Sequence, residues 1–253
     1  VNGEFRNLSK AFNKMSGEIY RTFEILQQEI GERKNIEENL AASLKEKEIL
    51  IKELYHRTKN NMQIINSMLA LHSRKENNQI VKNIITDMSS RINAMSLVHQ
   101  KLYESHNLSN INFKEYIIEL CGLLLKSYVK SPQKVEIIYD IEDVNIIIDV
   151  ALPCGLVITE LITNSLKYAF PDNKDGKIIV NIYKIQHNVI NIEVSDNGVG
   201  LKKDFNFEKD IGMGLKTVES IVNSQLDGEV SFLTNSGLSV IIKAKIDLYN
   251  ERV

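Results

Sequence analysis

Apolar residues recur along the first third of the chain with a helical period. Leu8, Phe12, Met15, Ile19, Leu26 and Ile30 are spaced 4, 3, 4, 7 and 4, with charged residues between them, the narrow seam expected of a coiled coil. Leu40, Leu44, Ile51 and Leu54 extend the apolar face less regularly, and Gly31 is the expected place for a stutter or a weakened turn. No proline occurs between residues 5 and 103, and Glu, Lys, Leu, Asn and Gln dominate, so the stretch is expected to be mostly helix. Such a seam needs a partner, because a helix of this kind alone in water is marginal.

The polar run RKENNQ at 74–79 interrupts the pattern, after which Val81, Ile85, Met88, Ile92, Met95, His99 and Leu102 repeat at 4, 3, 4, 3, 4 and 3. This reads as a helical hairpin with antiparallel arms. Past residue 107 helices and strands alternate. Helices are expected at 112–129, 152–168 and 214–226, and strands at 134–141, 145–150, 177–185, 189–195, 229–234 and 238–246. Turns are expected at Ser131-Pro132, in DNKDG at 172–176 and in NSG at 235–237. The class is therefore α+β: a coiled-coil signalling helix over 1–48, a hairpin over 49–108 and a globular domain over 109–253.

Composition narrows the choices. With 253 residues, 43% hydrophobic and 25% charged, the chain can build one full core plus an elongated element. A formal net charge of -2 lacks the concentrated basic surface of nucleic-acid binders, so no nucleic-acid partner is expected. Cys121 and Cys154 sit in apolar contexts without metal spacing, which suits a reduced cytoplasmic compartment and excludes a disulfide or zinc framework. No apolar run long enough for a membrane span stands out, and a chain starting at Val1 reads as a piece of something longer.

On a helix His56, Asn60, Gln63 and Ser67 share one polar stripe at spacings of 4, 3 and 4, so His56 is expected to face solvent. A lone exposed histidine is often only a surface residue. It is also the side chain that is substantially neutral near cellular pH, as a phosphate acceptor must be. Arg57 could steady phosphate charge and Asn60, one turn on, could hydrogen-bond a phosphoryl group. Further on, Glu160, Asn164 and Lys167 fall at spacings of 4 and 3, with Tyr168 beside them. Amide and carboxylate oxygens suit a nucleotide-bound magnesium, and a lysine answers phosphate charge; the alternative is the charged face of an amphipathic helix. Asp196-Asn197-Gly198-Val199-Gly200 follows a strand and reads either as an ordinary turn or as a carboxylate with bare backbone that a ligand can approach. Gly212-Met213-Gly214 opens a helix whose free N–H groups can bind phosphate.

The segment ELYHRTKNNMQIINSMLALHSR resembles the HRxxNN(L/M)Q phosphoacceptor box of the HWE-related branch of histidine kinases, and the likeness continues through RINAMSLVHQKLYES and INFKEYIIELCGLLLKSY. The three glycine- and asparagine-bearing segments, in order, resemble the N, G1 and G2 boxes of the GHKL ATPase superfamily from about residue 135 to 246. The resemblance implies a dimeric four-helix bundle made from two hairpins, followed by a GHKL α/β sandwich that binds ATP with Mg2+. It implies His56 as phosphoacceptor, Asn164 as a magnesium ligand helped by Glu160, and Lys167 and Tyr168 along the phosphate and base sides. Asp196 would accept the adenine amino group, Gly198 and Gly200 shape the adenine pocket, and Gly212 and Gly214 let a short lid over 201–211 and its helix close on phosphates. Within that lid Phe205 and Phe207 could either dock on the base or the stalk or be plain core contacts. Many histidine kinases carry an acidic residue directly after the histidine; here Arg57 stands there, which leaves Glu53, one turn back, as one candidate proton acceptor.

The function implied is autophosphorylation of His56 followed by transfer to a response-regulator receiver domain, by a homodimer. Its rivals are a nucleotide-gated relay and a GHKL ATPase without autokinase activity. GEFRNLSKAFNKMS at 3–16 resembles the last helix of a HAMP module, which implies a cytoplasmic fragment whose parent is anchored in the cell membrane through N-terminal segments.

Overall fold

The first helix, α1, runs from Asn2 to Lys75 without a break. A computed structural model describes residues 2–104, 110–129, 134–171, 174–186, 188–201, 212–234 and 236–246. The turns expected at Ser131-Pro132, at the start of DNKDG and at Asn235, and the lid residues Phe205 and Phe207, lie outside these. Gly31 does not interrupt α1, since a lone glycine costs a helix only about 1 kcal/mol. Two compact units divide the chain, Val1–Leu54 and Tyr55–Val253. In the first, Phe12, Met15, Ile19, Leu26 and Ile30 of the seam are all exposed.

In the second unit α1 ends where the polar run becomes a capping turn. Glu76 Oε1 accepts from the N–H groups of Asn77 and Asn78, at 2.8 Å each. Asn78 Oδ1 then accepts from Ile80 N at 2.9 Å, a side-chain cap for α2, Gln79–Glu104. The second half of α2 is anchored by Ala94, Leu97, Val98 and Leu102, all buried.

The rest is a layer of helices on a sheet. Strand β1, Asn110–Asn112, leads into α3, Phe113–Tyr128, whose N-cap Asn112 accepts from Glu115 N. Then come β2, Val135–Ile141, β3, Asn145–Ile147, and α4, Ile148–Asn164. The strand expected over 145–150 is thus half a strand. β3 pairs with β1 in a separate two-stranded sheet, while Val150 and Ala151 are drawn into the core as part of α4, where apolar burial outweighs the β preference of Ile and Val. Four strands follow, β4 at Gly176–Gln186, β5 at Val189–Asp196, β6 at Glu229–Thr234 and β7 at Leu238–Lys245, with α5, Met213–Gln225, between β5 and β6.

The main sheet has the order β2-β4-β5-β7-β6, with only β2 and β4 parallel. Its buried side carries Ile178, Val180 and Ile182 of β4, Ile190, Ile192 and Val194 of β5, and Val240, Ile242 and Ala244 of β7. Those side chains join Val157, Ile158, Leu161 and Ile162 of α4, Leu120 and Leu124 of α3 and Val218 and Val222 of α5 in one core. Among the described residues, Ile148–Ala169 is the one helix long and apolar enough to cross a membrane, yet most of it is buried; it is the core helix of this layer. Cys121 and Cys154 are free and buried in the same core.

Candidate functional site

Helix α4 carries the first set of candidate residues. It ends as an α-helix at Asn164 and winds on as a π-helix over Ser165–Ala169, a rare geometry that recurs at functional sites. Glu160 is buried, Lys167 half-buried and Tyr168 exposed. The α5 N-terminus meets this helix closely: a side-chain carbon at Gly214 would lie 2.8 Å from Glu160 Oε2 and 3.7 Å from Asn164 Oδ1. The Glu160 carboxylate and the Asn164 amide, whose nitrogen at 3.5 Å is slightly nearer than its oxygen, therefore both meet the free N–H groups that open α5, after Gly212 at the N-cap. Oxygen donors next to a helix N-terminus are the donor set that a magnesium-bound triphosphate needs, so the residues fit that group.

Asp196 is the next of the expected residues. It sits at the end of β5, buried, and Ser165 Oγ donates to its Oδ2 at 2.8 Å. Gly198 N and Leu238 N donate to Oδ1 at 3.0 and 3.3 Å. These bonds hold the carboxylate in one orientation while leaving acceptor capacity, since a carboxylate has about four lone-pair sites.

Three glycines, Gly198, Gly200 and Gly237, press on protein backbone. A carbon added at Gly198 would fall 2.3 Å from the Ala169 carbonyl oxygen and 2.4 Å from its Cβ, and Val199 N donates to that carbonyl at 2.9 Å. The turn after β5 is thus pressed onto the π-helical end of α4. Gly200 has φ +66 and faces the Gly237 carbonyl. Gly237 itself has φ +118, and a carbon there would overlap the Asp196 carbonyl oxygen at 1.8 Å. By contrast, among the described residues nothing lies within 4 Å of a carbon at Gly212.

Helix α2 reaches this site from the hairpin side. Arg91 Nε donates to Glu160 Oε1 at 2.6 Å, and this hydrogen bond holds the Arg91 pKa above its ordinary value. One turn earlier Asp87 pairs with Lys167 and accepts from Tyr128 Oη at 2.9 Å. The Lys167 ammonium also stands 5.5 Å over the Tyr128 ring, and burial pushes the Tyr128 phenol up. Glu160, expected to help hold magnesium, and Lys167, expected on the phosphate side, are therefore both engaged by α2.

His56 is exposed on α1, as are Asn60, Gln63 and Ser67 on the same stripe and Arg57 beside it. Its ring meets Tyr103 edge-to-face, with centroids 4.6 Å apart at 70°. The neighbouring Tyr55 packs on His99 at 5.5 Å, and burial lowers the His99 pKa.

Sequence reasoning did not single out Ser165, Gly237, Asp87, Arg91 or Tyr128. Gly237 was legible only as part of an NSG turn, and the others carry no local signal because their partners lie 31 to 80 residues away.

A helix-on-sheet domain that holds Glu160, Asn164 and Asp196, joined to a hairpin with an exposed histidine, is the architecture of a histidine kinase core. Family models agree: one described as "Histidine kinase" matches residues 53–128, and one described as "Histidine kinase-, DNA gyrase B-, and HSP90-like ATPase" matches residues 149–248. The chain carries the two domains of a histidine kinase core of the HWE-related branch, the histidine-bearing hairpin and a GHKL-type ATP-binding domain. It is 27% identical over 204 residues to the sensor histidine kinase PdtaS of Mycobacterium tuberculosis, covering 79% of this chain and 40% of that one. It is 23% identical over 205 residues to blue-light-activated histidine kinase 2 of Erythrobacter litoralis, covering 79% and 57%. The chain thus spans only about two fifths of the first relative's length. In fold it matches the solved blue-light-activated histidine kinase of Erythrobacter litoralis with a TM-score of 0.61 at 18% identity, over 78% of this chain and 60% of that one.

Proposed function

We propose that the chain is a histidine autokinase in which ATP bound between α4, the β5 turn and α5 donates its γ-phosphoryl group to His56, for onward transfer to an aspartate of a response-regulator receiver domain. The observation that carries the reading is the presence, in one chain, of an exposed His56 in an HRTKNNMQ box, an Asp196 held by three hydrogen bonds, and Glu160 and Asn164 meeting the start of α5. In the proposed step an unprotonated ring nitrogen of His56 attacks the γ-phosphorus in line. An N–P bond forms, the bond to the bridging β–γ oxygen breaks, ADP leaves with that electron pair, and the ring's N–H proton passes to a base, for which the sequence offers Glu53.

Asp196 accepts from the adenine amino group, which selects ATP over GTP, while Gly198 and Gly200 keep the turn seated so that Asp196 faces the base. Asn164 and Glu160 hold magnesium, which when bound neutralises charge on the phosphates. Lys167 and Tyr168 border the nucleotide, and Gly212 and Gly214 let the start of α5 approach the phosphates. Arg57 and Asn60 steady the phosphoryl group on His56. Because Arg91 and Asp87 engage Glu160 and Lys167, the ATP-binding domain must part from α2 and swing toward His56 to deliver the phosphoryl group. Residues 1–48, 49–108 and 109–253 serve as signalling helix, phosphotransfer hairpin and catalytic domain. Exposed Ile64, Ile65, Met68, Ile84 and Met88 on the hairpin favour a homodimeric four-helix bundle, and the HAMP-like 3–16 segment favours a membrane-anchored parent.

The test is incubation of the chain with magnesium and γ-labelled ATP, beside His56→Gln and Asn164→Ala. Acid-labile, alkali-stable label that is lost in both variants is expected. Label persisting in His56→Gln would overturn the acceptor assignment, and ATP binding with no label would favour the nucleotide-gated relay.

A further inference from the structure

We propose that Tyr103 is a positioning residue for His56, a role that rests on the reading of His56 as phosphoacceptor. An exposed histidine on a helix has a broad second side-chain torsion, so its ring nitrogens present themselves in no fixed direction. Here the ring is not free to do so, because Tyr103 meets it edge-to-face with centroids 4.6 Å apart, the preferred geometry of an aromatic pair.

The contact is the second rung of a short ladder. Tyr55 and His56 are neighbours on α1, while His99 and Tyr103 are one turn apart on the same face of α2. Tyr55 packs on His99 at 5.5 Å, one rung below. The α2 side of the ladder is fixed, since Val98 and Leu102 flank it and are wholly buried. An aromatic pair tied to the core thus sets the orientation of an exposed acceptor ring before nucleotide arrives. Orientation supplied in advance is rate enhancement that the transfer step need not generate itself.

Tyr103 keeps 42% of its surface exposed, so replacing it leaves the core intact. The contact is between the two rings, so Tyr103→Phe should behave as wild type. Tyr103→Ala should slow autophosphorylation at saturating ATP about three- to ten-fold, the size of one aromatic pair, with the KM for ATP unchanged. Independently of activity, the ring C–H resonances of His56 in carbon–proton NMR spectra should lose a ring-current shift in Tyr103→Ala and keep it in Tyr103→Phe. An unchanged or faster rate in Tyr103→Ala, with label still on His56, overturns the positioning role. Unmoved His56 resonances overturn the contact, whether or not the chain labels. Label that survives His56→Gln shows instead that the acceptor reading, not the ring contact, has failed.

Discussion

Replacing Gly198 with alanine tests whether the turn after β5 is seated on the π-helical end of α4 as described. The added carbon would fall 2.3 Å from the Ala169 carbonyl oxygen, 2.4 Å from its Cβ and 2.7 Å from its carbonyl carbon. Two of these three are backbone atoms, so relief by a side-chain rotation is not available and the turn must lift. Overpacking of this kind costs about 1–3 kcal/mol. Lifting the turn also breaks the 2.9 Å bond from Val199 N to Ala169 O, about 0.5–1.5 kcal/mol. The loss of glycine's freedom in the unfolded chain returns about 0.4–1 kcal/mol, for a net loss of about 1–4 kcal/mol. In urea unfolding followed by circular dichroism, with a slope of about 2 kcal/mol per molar, the midpoint should fall by roughly 0.5–2 M. ATP affinity, read by titration calorimetry, should fall with it, because Gly198 N helps hold Asp196 at 3.0 Å. Gly212→Ala is the control, with no described residue within 4 Å of the new carbon, and should leave the midpoint in place. A Gly198→Ala protein with wild-type midpoint and wild-type ATP affinity would refute the reasoning.

Asp196→Asn should weaken ATP binding about 10- to 100-fold, the worth of a hydrogen bond to a charged acceptor, with little change in the urea midpoint, because an amide oxygen can still accept from Gly198 N and Leu238 N; calorimetry and denaturation together check it. Burial pushes the thiols of Cys121 and Cys154 up to about 12, so neither should react with a thiol reagent at pH 8 until the protein is unfolded. Since those folded values lie above the ordinary value of 9.0, their contribution to stability is full below pH 9 and should be lost as pH rises from there toward 12. His99 runs the other way: burial depresses its pKa below 6.5, so the neutral form is favoured in the folded state and stability should decline as pH falls through and below that value. His99→Gln should flatten the fall in urea midpoint between pH 7.5 and 5.5.

Much of this architecture was legible in the order of residues. The 4-3 spacing from Val81 to Leu102 gives α2 as a helix, but of that stripe only Leu102 is buried and Met88 is exposed; the face that meets the core is the neighbouring one with Ala94, Leu97 and Val98. The exposure of His56, Asn60, Gln63 and Ser67 follows from the same geometry. Where local pattern misled, a long-range partner was responsible. Residues 148–150 read as strand because Ile and Val favour strands, but the core takes Val150 and Ala151 as helix. β1 was invisible since three residues carry no periodicity and exist as a strand only through β3. The glycines of the DNG turn were legible as points of close approach, though what approaches Gly198 is the Ala169 backbone. The ties from Arg91 and Asp87 to Glu160 and Lys167 span 69 and 80 residues, and no spacing rule reaches that far.

The central claim is the chemical identity of the acceptor. The most direct measurement is mass-spectrometric localisation of the phosphoryl group, with digestion at neutral to alkaline pH after incubation of the chain with magnesium and ATP. The account predicts modification of the His56 imidazole; a phosphoryl group on any other residue, or ATP turnover that leaves the peptide containing His56 unmodified, would contradict it.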